Sequence, residues 1–298
     1  MTAVLAVLLA LLLAGHRLVP GRGGHLGSLL EAFLPWLGLG VPVLLAAALL
    51  RRSRAALLAV LLPVLAWTVL FGGRLLPADG GRVDLTVVQH NVDDGNADPE
   101  GTAKALLDRH ADLVALEELA SGAAVYERVL AGAYPYRARS GTVGLWSRYP
   151  LTDARPVDLK PSSVHVYWKR GVRATVHTPQ GEVAVYVAHL PSVRLRADGF
   201  ATAERDESAR RLAAVIDGEP ARRLILLGDL NSTLDDRGIA PLTSRLVPAR
   251  SGFDFSWPAG LPLARIDQVL CRGAVPVSTR TLPATGSDHL PVEARIRL

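Results

Sequence analysis

The first 76 residues consist largely of apolar runs. Two of them, Ala32–Leu50 and Ala55–Gly73, contain 19 residues each without a charge, close to the ~20 that a helix needs to cross a bilayer core. A third run, Thr2–Gly15, is shorter and reaches spanning length only if it continues past His16 and Arg17. A signal peptide is the alternative for this run, but it lacks a basic n-region and two further apolar runs follow it. The pattern predicts a membrane anchor of about three transmembrane helices over residues 1–76.

After a turn-rich linker that begins at Pro77, short β-like runs alternate with amphipathic helices. The helix candidates are Thr102–His110 and Ala201–Ile216, and in the second of these the apolar positions recur at helical spacing. The strand candidates, rich in Val, Leu and Ile and bounded by Gly or Pro, are Leu85–His90, Leu113–Glu118, Val143–Ser147, Val164–Trp168, Val172–His177, Val183–His189, Leu224–Leu227, Ile266–Cys271 and Val292–Leu298. Because strands outnumber helices and both are interspersed, residues 77–298 are predicted to form an α/β sandwich of two sheets flanked by helices.

The charge is distributed unevenly along the chain. Residues 1–78 contain six Arg and one acid, Glu31, which leaves 27 basic and 27 acidic side chains in the remainder. The sequence pI of 9.7 therefore arises in the apolar segment. Non-specific binding of nucleic acid depends on a basic surface, so the neutral C-terminal part makes a nuclease less favoured. The only cysteine, Cys271, excludes an intrachain disulfide.

The basic residues also bear on membrane orientation. The cluster Arg51–Arg54 lies between the second and third apolar runs, and cytoplasmic loops carry such clusters. This orientation puts the C-terminal domain outside the cytoplasm, although Arg17, Arg22, Arg74 and Arg82 then lie on the outer side and weaken the assignment. We expect a multi-pass protein of the cell membrane with an extracytoplasmic C-terminal domain.

Several apolar strands end abruptly in a carboxylate, an amide or an imidazole. Carboxylates are costly at strand ends unless they are paired. If they gather at one rim, they form an oxygen-rich cage suited to Mg²⁺ or Mn²⁺, and imidazoles beside it supply proton transfer or charge stabilisation for phosphoryl transfer. The residues in question are Asn91, Asp93, Glu117 or Glu118, His189, Asp229, Asn231, Asp267, Asp288 and His289.

The motifs that contain these residues occur in the order known from one superfamily. They are Asn-x-Asp after the first strand, "LEE" in place of a Gln-Glu pair, "LWSRYPL", a strand-ending His, "GDLN", an Ile-Asp-x-Val strand and a terminal "SDHLPV". Over Asp84–Leu298 the chain resembles the endonuclease/exonuclease/phosphatase superfamily, which includes DNase I-like nucleases, inositol polyphosphate phosphatases and neutral sphingomyelinases. The resemblance implies a DNase I-like four-layer α/β sandwich and Mg²⁺-dependent hydrolysis of phosphoric esters.

The resemblance also implies a role for each residue. Strand alternation lets only one of Glu117 and Glu118 face the site, and the motif selects Glu118. The division of acid and base between Asp229, His189 and His289 stays open, as does the choice between one and two metal ions. The implied metal ligands are Asn91, Glu118, Asp229 and Asp288, the substrate-binding residues are Asn91 and Asn231, and the catalytic residues are His189, Asp229, Asp267 and His289.

The substrate is constrained by the membrane tether. From Phe71 to Asp84 the chain spans about 13 residues, at most ~45 Å, which keeps the site within reach of lipid headgroups. Three N-terminal spans before such a domain also resemble the VanJ-type proteins of actinobacteria, which are linked to teicoplanin resistance. That resemblance implies a lipid-linked substrate such as undecaprenyl pyrophosphate. The alternatives are an extracellular nuclease or phosphodiesterase, a phospholipase C or sphingomyelinase-like enzyme, and an inactive envelope-binding scaffold.

Overall fold

The computed structural model describes residues 1–21, 24–76, 80–197, 199–249 and 252–298. The first residues of the predicted linker, 77–79, lie outside the described residues. The chain forms two compact units. A helical unit comprises Met1–Pro77, Arg194–Ala201 and Asp235–Arg237, and an α/β unit comprises Ala78–Val193, Thr202–Leu234 and Gly238–Leu298. The sequence predicts a single boundary after residue 76. In the structure, two short segments of the C-terminal part, Arg194–Ala201 and Asp235–Arg237, belong to the helical unit instead.

The helical unit contains fewer membrane-length helices than the apolar runs predict. Its α-helices are α1 (Thr2–Ala14), α2 (Leu26–Ala32), α3 (Gly40–Leu50) and α4 (Arg54–Phe71). Within the part of the chain that the structure describes, only Arg54–Leu75, 22 residues long, is long and apolar enough to cross a membrane by itself. Helix α2 and the following helical segment Leu34–Leu50 meet that test only together, as a pair bent by 67°, and α1 is too short.

The prediction of three spans is therefore not confirmed; among the described residues one helix is long and apolar enough to cross a membrane, or two if the bent pair counts as one. The predicted run Ala32–Leu50 is interrupted at Phe33, where α2 ends and a 3₁₀ helix, Leu34–Leu39, begins. Pro35 lies in the first turn of that 3₁₀ helix. A proline has no backbone N–H to donate and restricts the residue before it, so a helix rarely continues through it unbent.

Glu31, the single acid of the N-terminal apolar part, is buried in the helical unit. Arg237, which belongs to the same unit, donates hydrogen bonds to its carboxylate from the backbone N at 2.9 Å, from Nε at 2.8 Å and from Nη2 at 2.8 Å. A buried carboxylate without such partners would be strongly destabilising. The ion pair explains how an acid is accommodated between apolar helices.

In the α/β unit, described strands form two six-stranded sheets, with the order β13-β14-β1-β2-β4-β3 in the first and β11-β12-β10-β7-β6-β5 in the second. The short pair β8–β9 lies in the helical unit instead. The helices are α5 (Pro99–Leu107), α6 (Ala123–Leu130), α7 (Ala203–Asp217) and α8 (Ala240–Thr243). The strands are β1 (Leu85–Asn91), β2 (Leu113–Glu117), β3 (Tyr136–Ser140), β4 (Val143–Ser147), β5 (Leu151–Pro156), β6 (Gly171–Thr178), β7 (Gly181–Ala188), β8 (Arg194–Arg196), β9 (Gly199–Ala201), β10 (Leu224–Asp229), β11 (Val247–Pro248), β12 (Asp267–Arg272), β13 (Val275–Thr281) and β14 (Val292–Arg297).

Three apolar clusters hold these layers together. The first lies between the sheets and joins inward residues of both, such as Val87 and Val185. The second joins the outer face of the second sheet to α7, and the third joins the outer face of the first sheet to α5 and α6. The predicted two-sheet sandwich flanked by helices is confirmed.

One predicted strand is wrong. Val164–Trp168 lies in an irregular loop between β5 and β6, although its residues favour a strand. Its neighbours Ser162 and Ser163 donate hydrogen bonds to Glu207 and Glu204 at the start of α7. The chain here is held by side chains rather than by a neighbouring strand.

Candidate active site

Strand pairing explains why the polar strand ends meet. In the second sheet, β10 runs parallel to β7 with Leu227 opposite Val187, so Asp229 and His189 lie at the same edge. Strand β12 is antiparallel to β10 and places Asp267 directly opposite Asp229. In the first sheet, Asn91 lies opposite Glu117. The predicted residues of five separate motifs are thus brought to one rim by the two sheets.

Gly228 in the "GDLN" motif permits a close approach between β10 and β7. It has a positive φ of 151°, and a Cβ at this position would lie 1.9 Å from the carbonyl oxygen of Ala188. Only glycine avoids this collision. Glycine is therefore required at this position, because it lets the strands that lead to His189 and Asp229 lie side by side.

His289 is oriented by a buried carboxylate. Its Nδ1 lies 2.9 Å from Oδ2 of Asp267, and the same oxygen accepts a hydrogen bond from Oγ of Ser256 at 2.6 Å. The other oxygen of Asp267 accepts from Nε2 of Gln89 at 3.0 Å. With Nδ1 engaged in this way, Nε2 of His289 is directed to Asp229, 3.8 Å from its Oδ2.

A second group of side chains is centred on Asn91. Its amide nitrogen donates to Oε1 of Glu118 at 3.1 Å and to Oδ2 of Asp229 at 3.0 Å. Nε2 of His189 lies 3.7 Å from the same two oxygens. Two carboxylates from different sheets therefore face each other across one amide and one imidazole.

Both glutamates of "LEE" lie at the site, so the argument from strand alternation is wrong. Glu117 is the last residue of β2 and is fully buried, where it accepts a hydrogen bond from Gln89 at 2.8 Å. Glu118 follows the strand with a φ of +59°. Side-chain alternation applies only within the strand. Beyond its end, the left-handed backbone at Glu118 turns the Glu118 side chain towards Asn91. The side chain of Glu118 is 32% accessible, whereas that of Glu117 is fully buried; Glu118 as the metal ligand stays a prediction.

The remaining predicted residues lie at the periphery. Asn231 donates from its backbone N to Oδ1 of Asp229 at 2.8 Å and from its amide to the carbonyl of Leu190 at 2.9 Å. Asp288 is 59% exposed, and its Oδ1 lies 3.8 Å from Nε2 of His289. Asp93 accepts a hydrogen bond from the backbone of Gly95.

Arg170 belongs to the site but was not among the predicted residues. Its Nη1 lies 3.5 Å from Nε2 of His189, and the charges of Glu118 and Asp229 act on it. A signal was present in the sequence, because the turn Thr178–Gly181 sets the register of the β6–β7 hairpin. Counting back along the hairpin places residue 170 opposite residue 189.

Two other arginines make contacts away from these residues. Arg173 is buried and pairs with Glu219 at 3.0 Å. Arg148 lies over the ring of Tyr134 at 5.7 Å.

Burial and neighbouring charges shift the pKa values at the site in opposite directions. Burial raises the pKa of Asp229 and also that of Glu117. Burial alone would lower the pKa of His289, but Asp267 and Asp229 outweigh it and raise the value to about 10. Burial, with the nearby charge of Arg170, lowers the pKa of His189 well below its ordinary value. The environment therefore favours the charged form of His289 and the neutral form of His189.

The donor set fits a divalent cation. Ligand atoms of Asp229, Asp267 and His289 lie within 4.8 Å of one another, but Asp267 already uses both oxygens in hydrogen bonds, one of them to His289 itself. A cation among these three would have to break that pair. Glu118 and Asp229 direct carboxylate oxygens at the same amide group of Asn91, and carboxylates are donors that Mg²⁺ favours. We therefore favour this second group as the place for a metal.

The sequence of the α/β unit matches a family model. The model for the Endonuclease/Exonuclease/phosphatase family matches residues 88–289, about two thirds of the chain. The chain belongs to this family. Members of the family are metal-dependent phosphoester hydrolases, which agrees with the oxygen-rich rim. No curated protein matches the chain.

Solved structures confirm the fold. Sphingomyelinase C from Streptomyces griseocarneus is similar, with 21% identity, 74% of this chain and 99% of that chain covered, and a TM-score of 0.56. A humanized D. rerio TDP2 is similar with 17% identity, coverage of 72% and 99%, and a TM-score of 0.59. A Staphylococcus aureus beta toxin with bound magnesium ions has 14% identity, coverage of 71% and 99%, and a TM-score of 0.55. At these identities the likeness shows the fold alone.

Proposed function

We propose that this protein is a membrane-anchored, Mg²⁺-dependent hydrolase of lipid-linked phosphoesters or phosphoanhydrides. The observation that carries the catalytic part is the convergence of Glu118, Asp229 and the Asp267–His289 pair on one rim. We take a polyprenyl pyrophosphate, such as undecaprenyl pyrophosphate, as the substrate. Its turnover would connect the protein to glycopeptide (teicoplanin) resistance, as in the VanJ-type proteins that the chain resembles.

The reaction is the attack of water on phosphorus, in which a P–O bond to the leaving group breaks. Asp229 is placed to orient the water and accept its proton. His289, held by Asp267, and Arg170 are placed to stabilise charge on the phosphoryl oxygens. Nε2 of His189 lies 3.7 Å from Oδ2 of Asp229, so His189 can take up the proton that Asp229 accepts from water and pass it to the leaving oxygen. A cation held by Asn91, Glu118 and Asp229, with Asp288 at the edge, would supply Lewis-acid stabilisation of the phosphoryl group.

The case for a lipid substrate rests on the apolar helices and on charge. Helix α4 is apolar enough to cross a membrane, and the chain after residue 78 carries equal numbers of basic and acidic residues. A bilayer anchor brings lipid headgroups within reach, whereas a neutral domain lacks the general attraction to nucleic acid on which nucleases rely. We place the α/β unit outside the cytoplasm on the evidence of the Arg51–Arg54 cluster. A C-terminal alkaline phosphatase fusion tests that placement, since it is active only when exported.

The test uses the full chain, purified in detergent, with and without Mg²⁺. Phosphate release from undecaprenyl pyrophosphate is measured beside cleavage of plasmid DNA and of sphingomyelin, and Asp229→Ala serves as the inactive control. We expect Mg²⁺-dependent release from the polyprenyl substrate, lost in the variant. Cleavage of DNA or sphingomyelin with no release from the polyprenyl lipid would overturn the substrate and favour a nuclease or a sphingomyelinase-like enzyme. No hydrolysis of any of the three substrates would favour an inactive envelope-binding scaffold.

A further inference from the structure

The loop that leads into Arg170 exposes apolar side chains beside the site. Val166 is 70% exposed and Tyr167 is 77% exposed. The next residue, Trp168, is partly buried and packs against the apolar cluster under α7. Trp168 thus fixes the loop, while the two residues before it project from the surface. Exposed large apolar residues in a cluster mark sites of interaction more often than isolated ones do.

This loop is directly joined to the groups proposed to bind phosphate. The guanidinium of Arg170 stacks on the ring of Trp168 at 5.3 Å and also reaches His189. The ammonium of Lys169 lies 5.5 Å from the ring centre of Tyr167. Three apolar or aromatic residues, 166–168, are therefore followed directly by two cationic ones, 169 and 170, next to the rim of the site.

A second exposed apolar loop lies on the other side of the site. Trp257 donates from Nε1 to Oδ2 of Asp288 at 3.3 Å, beside His289. Its hairpin, closed by the bridge between Trp257 and Ala264, carries Leu261, which is 66% exposed. The two loops flank the site, one near His189 and one near Asp288. We refer to Val166, Tyr167, Trp257 and Leu261 together as the apolar rim.

We propose that the apolar rim is a lipid-contacting surface that lies in the interfacial region of a bilayer while the site acts on a lipid headgroup. Tyr and Trp are the side chains that favour this region. Lys169 and Arg170 supply positive charge for the phosphate level of the membrane. The aliphatic side chains of Val166 and Leu261 are compatible with the hydrocarbon region of a bilayer. They offer no aromatic face on which a nucleobase could stack, as a nucleic-acid surface would need. The proposal rests on the proposed function in that a lipid-linked substrate would bring the rim to the membrane.

The first test is kinetic and uses the full chain reconstituted in phosphatidylcholine/phosphatidylglycerol nanodiscs. Val166→Ser combined with Tyr167→Ser should raise the apparent KM for a long-chain polyprenyl pyrophosphate about tenfold, equivalent to ~1.4 kcal/mol. Hydrolysis of water-soluble bis(4-nitrophenyl) phosphate should be unchanged. The control is Tyr136→Ser with Val275→Ser, two exposed residues. Through the intervening strands of their sheet, both lie level with the start of β1, opposite the end that carries Asn91. An equal loss on both substrates would mean that the loop shapes the site, and would overturn the proposal.

The second test does not depend on turnover. Cys271 is buried and free, so a cysteine introduced by Val166→Cys or by Leu261→Cys can be labelled selectively with an environment-sensitive fluorophore. In nanodiscs that contain spin-labelled lipid, we expect the fluorescence at both positions to be quenched more strongly than in a Val275→Cys control. Equal quenching at all three positions would contradict the proposal even if lipid substrate is hydrolysed. Strong quenching at 166 and 261 without lipid hydrolysis would support the rim and overturn only the proposed substrate.

Discussion

Nδ1 of His289 lies 2.9 Å from the carboxylate of Asp267, which is itself completely buried. The same carboxylate accepts hydrogen bonds from Ser256 and Gln89, so its position and orientation are determined on several sides. A carboxylate on Nδ1 leaves Nε2 as the reactive nitrogen and stabilises the charged imidazole. Burial by itself would raise the pKa of Asp267. The charge of His289 and the hydrogen bonds to the carboxylate outweigh burial and hold this pKa below its ordinary value.

Asp267→Asn should lower kcat by about 100-fold or more, because the amide no longer stabilises the charged His289 and can present an N–H to it. We expect KM to change little. The measurement is steady-state hydrolysis of bis(4-nitrophenyl) phosphate, with the thermal unfolding midpoint showing that the fold is retained. Ser256→Ala removes one hydrogen bond from Asp267 and should cause a smaller loss. An unchanged kcat in Asp267→Asn would exclude the proposed role.

Glu118→Gln should raise the Mg²⁺ concentration needed for half-maximal activity about tenfold or more, because it replaces a charged metal ligand by a neutral one. Removal of divalent ions with EDTA should abolish activity in the unmodified protein. The matched control is Glu117→Gln, which changes the adjacent but buried carboxyl that contacts Gln89. If both variants shift the Mg²⁺ titration equally, the assignment of the ligand to Glu118 is wrong.

Arg170→Ala should raise KM for phosphoester substrates by about tenfold or more, since a hydrogen bond from a charged donor contributes roughly 1.5–3 kcal/mol. Arg170→Lys keeps the charge without the planar fork and should recover part of the loss. Arg148→Ala, which removes an arginine over Tyr134, is the control and should leave KM unchanged. The measurement is KM and kcat, determined separately for each variant at saturating Mg²⁺.

Glu219→Gln should destabilise the α/β unit by about 3 kcal/mol at pH 7, because it breaks a buried pair and leaves the charge of Arg173 uncompensated. Burial opposes ionisation, but hydrogen bonds from Arg173 and Tyr186 lower the pKa of Glu219 to about 2, below the ordinary value of 4.5. A depressed pKa means that this stabilisation is complete above pH 4.5 and is lost as the pH falls towards 2.

The thermal unfolding midpoint, measured from pH 7 to pH 3, checks this prediction. The difference between the unmodified protein and Glu219→Gln should shrink as the pH falls. Asp217→Asn, which changes an exposed acid paired with Arg245, should change the midpoint little at any of these pH values. A difference that stays constant down to pH 3 would contradict the assigned ion pair.

The strands and most of the site could be read from the sequence because their signals are local. Strand β4 has the predicted bounds Val143–Ser147, and other core strands differ from prediction by a few residues at their ends. A buried strand of a sandwich must be apolar along its length, so a sudden carboxylate or imidazole at its end is conspicuous. The sequence therefore determined the α/β class and named Asn91, Asp229 and His189 before any pairing was known. The family's order of motifs supplied the roles.

Only the tertiary structure decided how these residues relate to one another. The register of β10 against β12 brings Asp229 opposite Asp267, and no local pattern contains that information. The edge strand β5 was missed because it is mostly exposed and lacks apolar alternation, and helix α6, although amphipathic, is only eight residues long. The left-handed conformation of Glu118 and the loop at Val166 and Tyr167 depend on contacts made by distant parts of the chain. Hydropathy likewise counts apolar residues but does not locate a bend, so the interruption of the run Ala32–Leu50 became visible only in the folded helices.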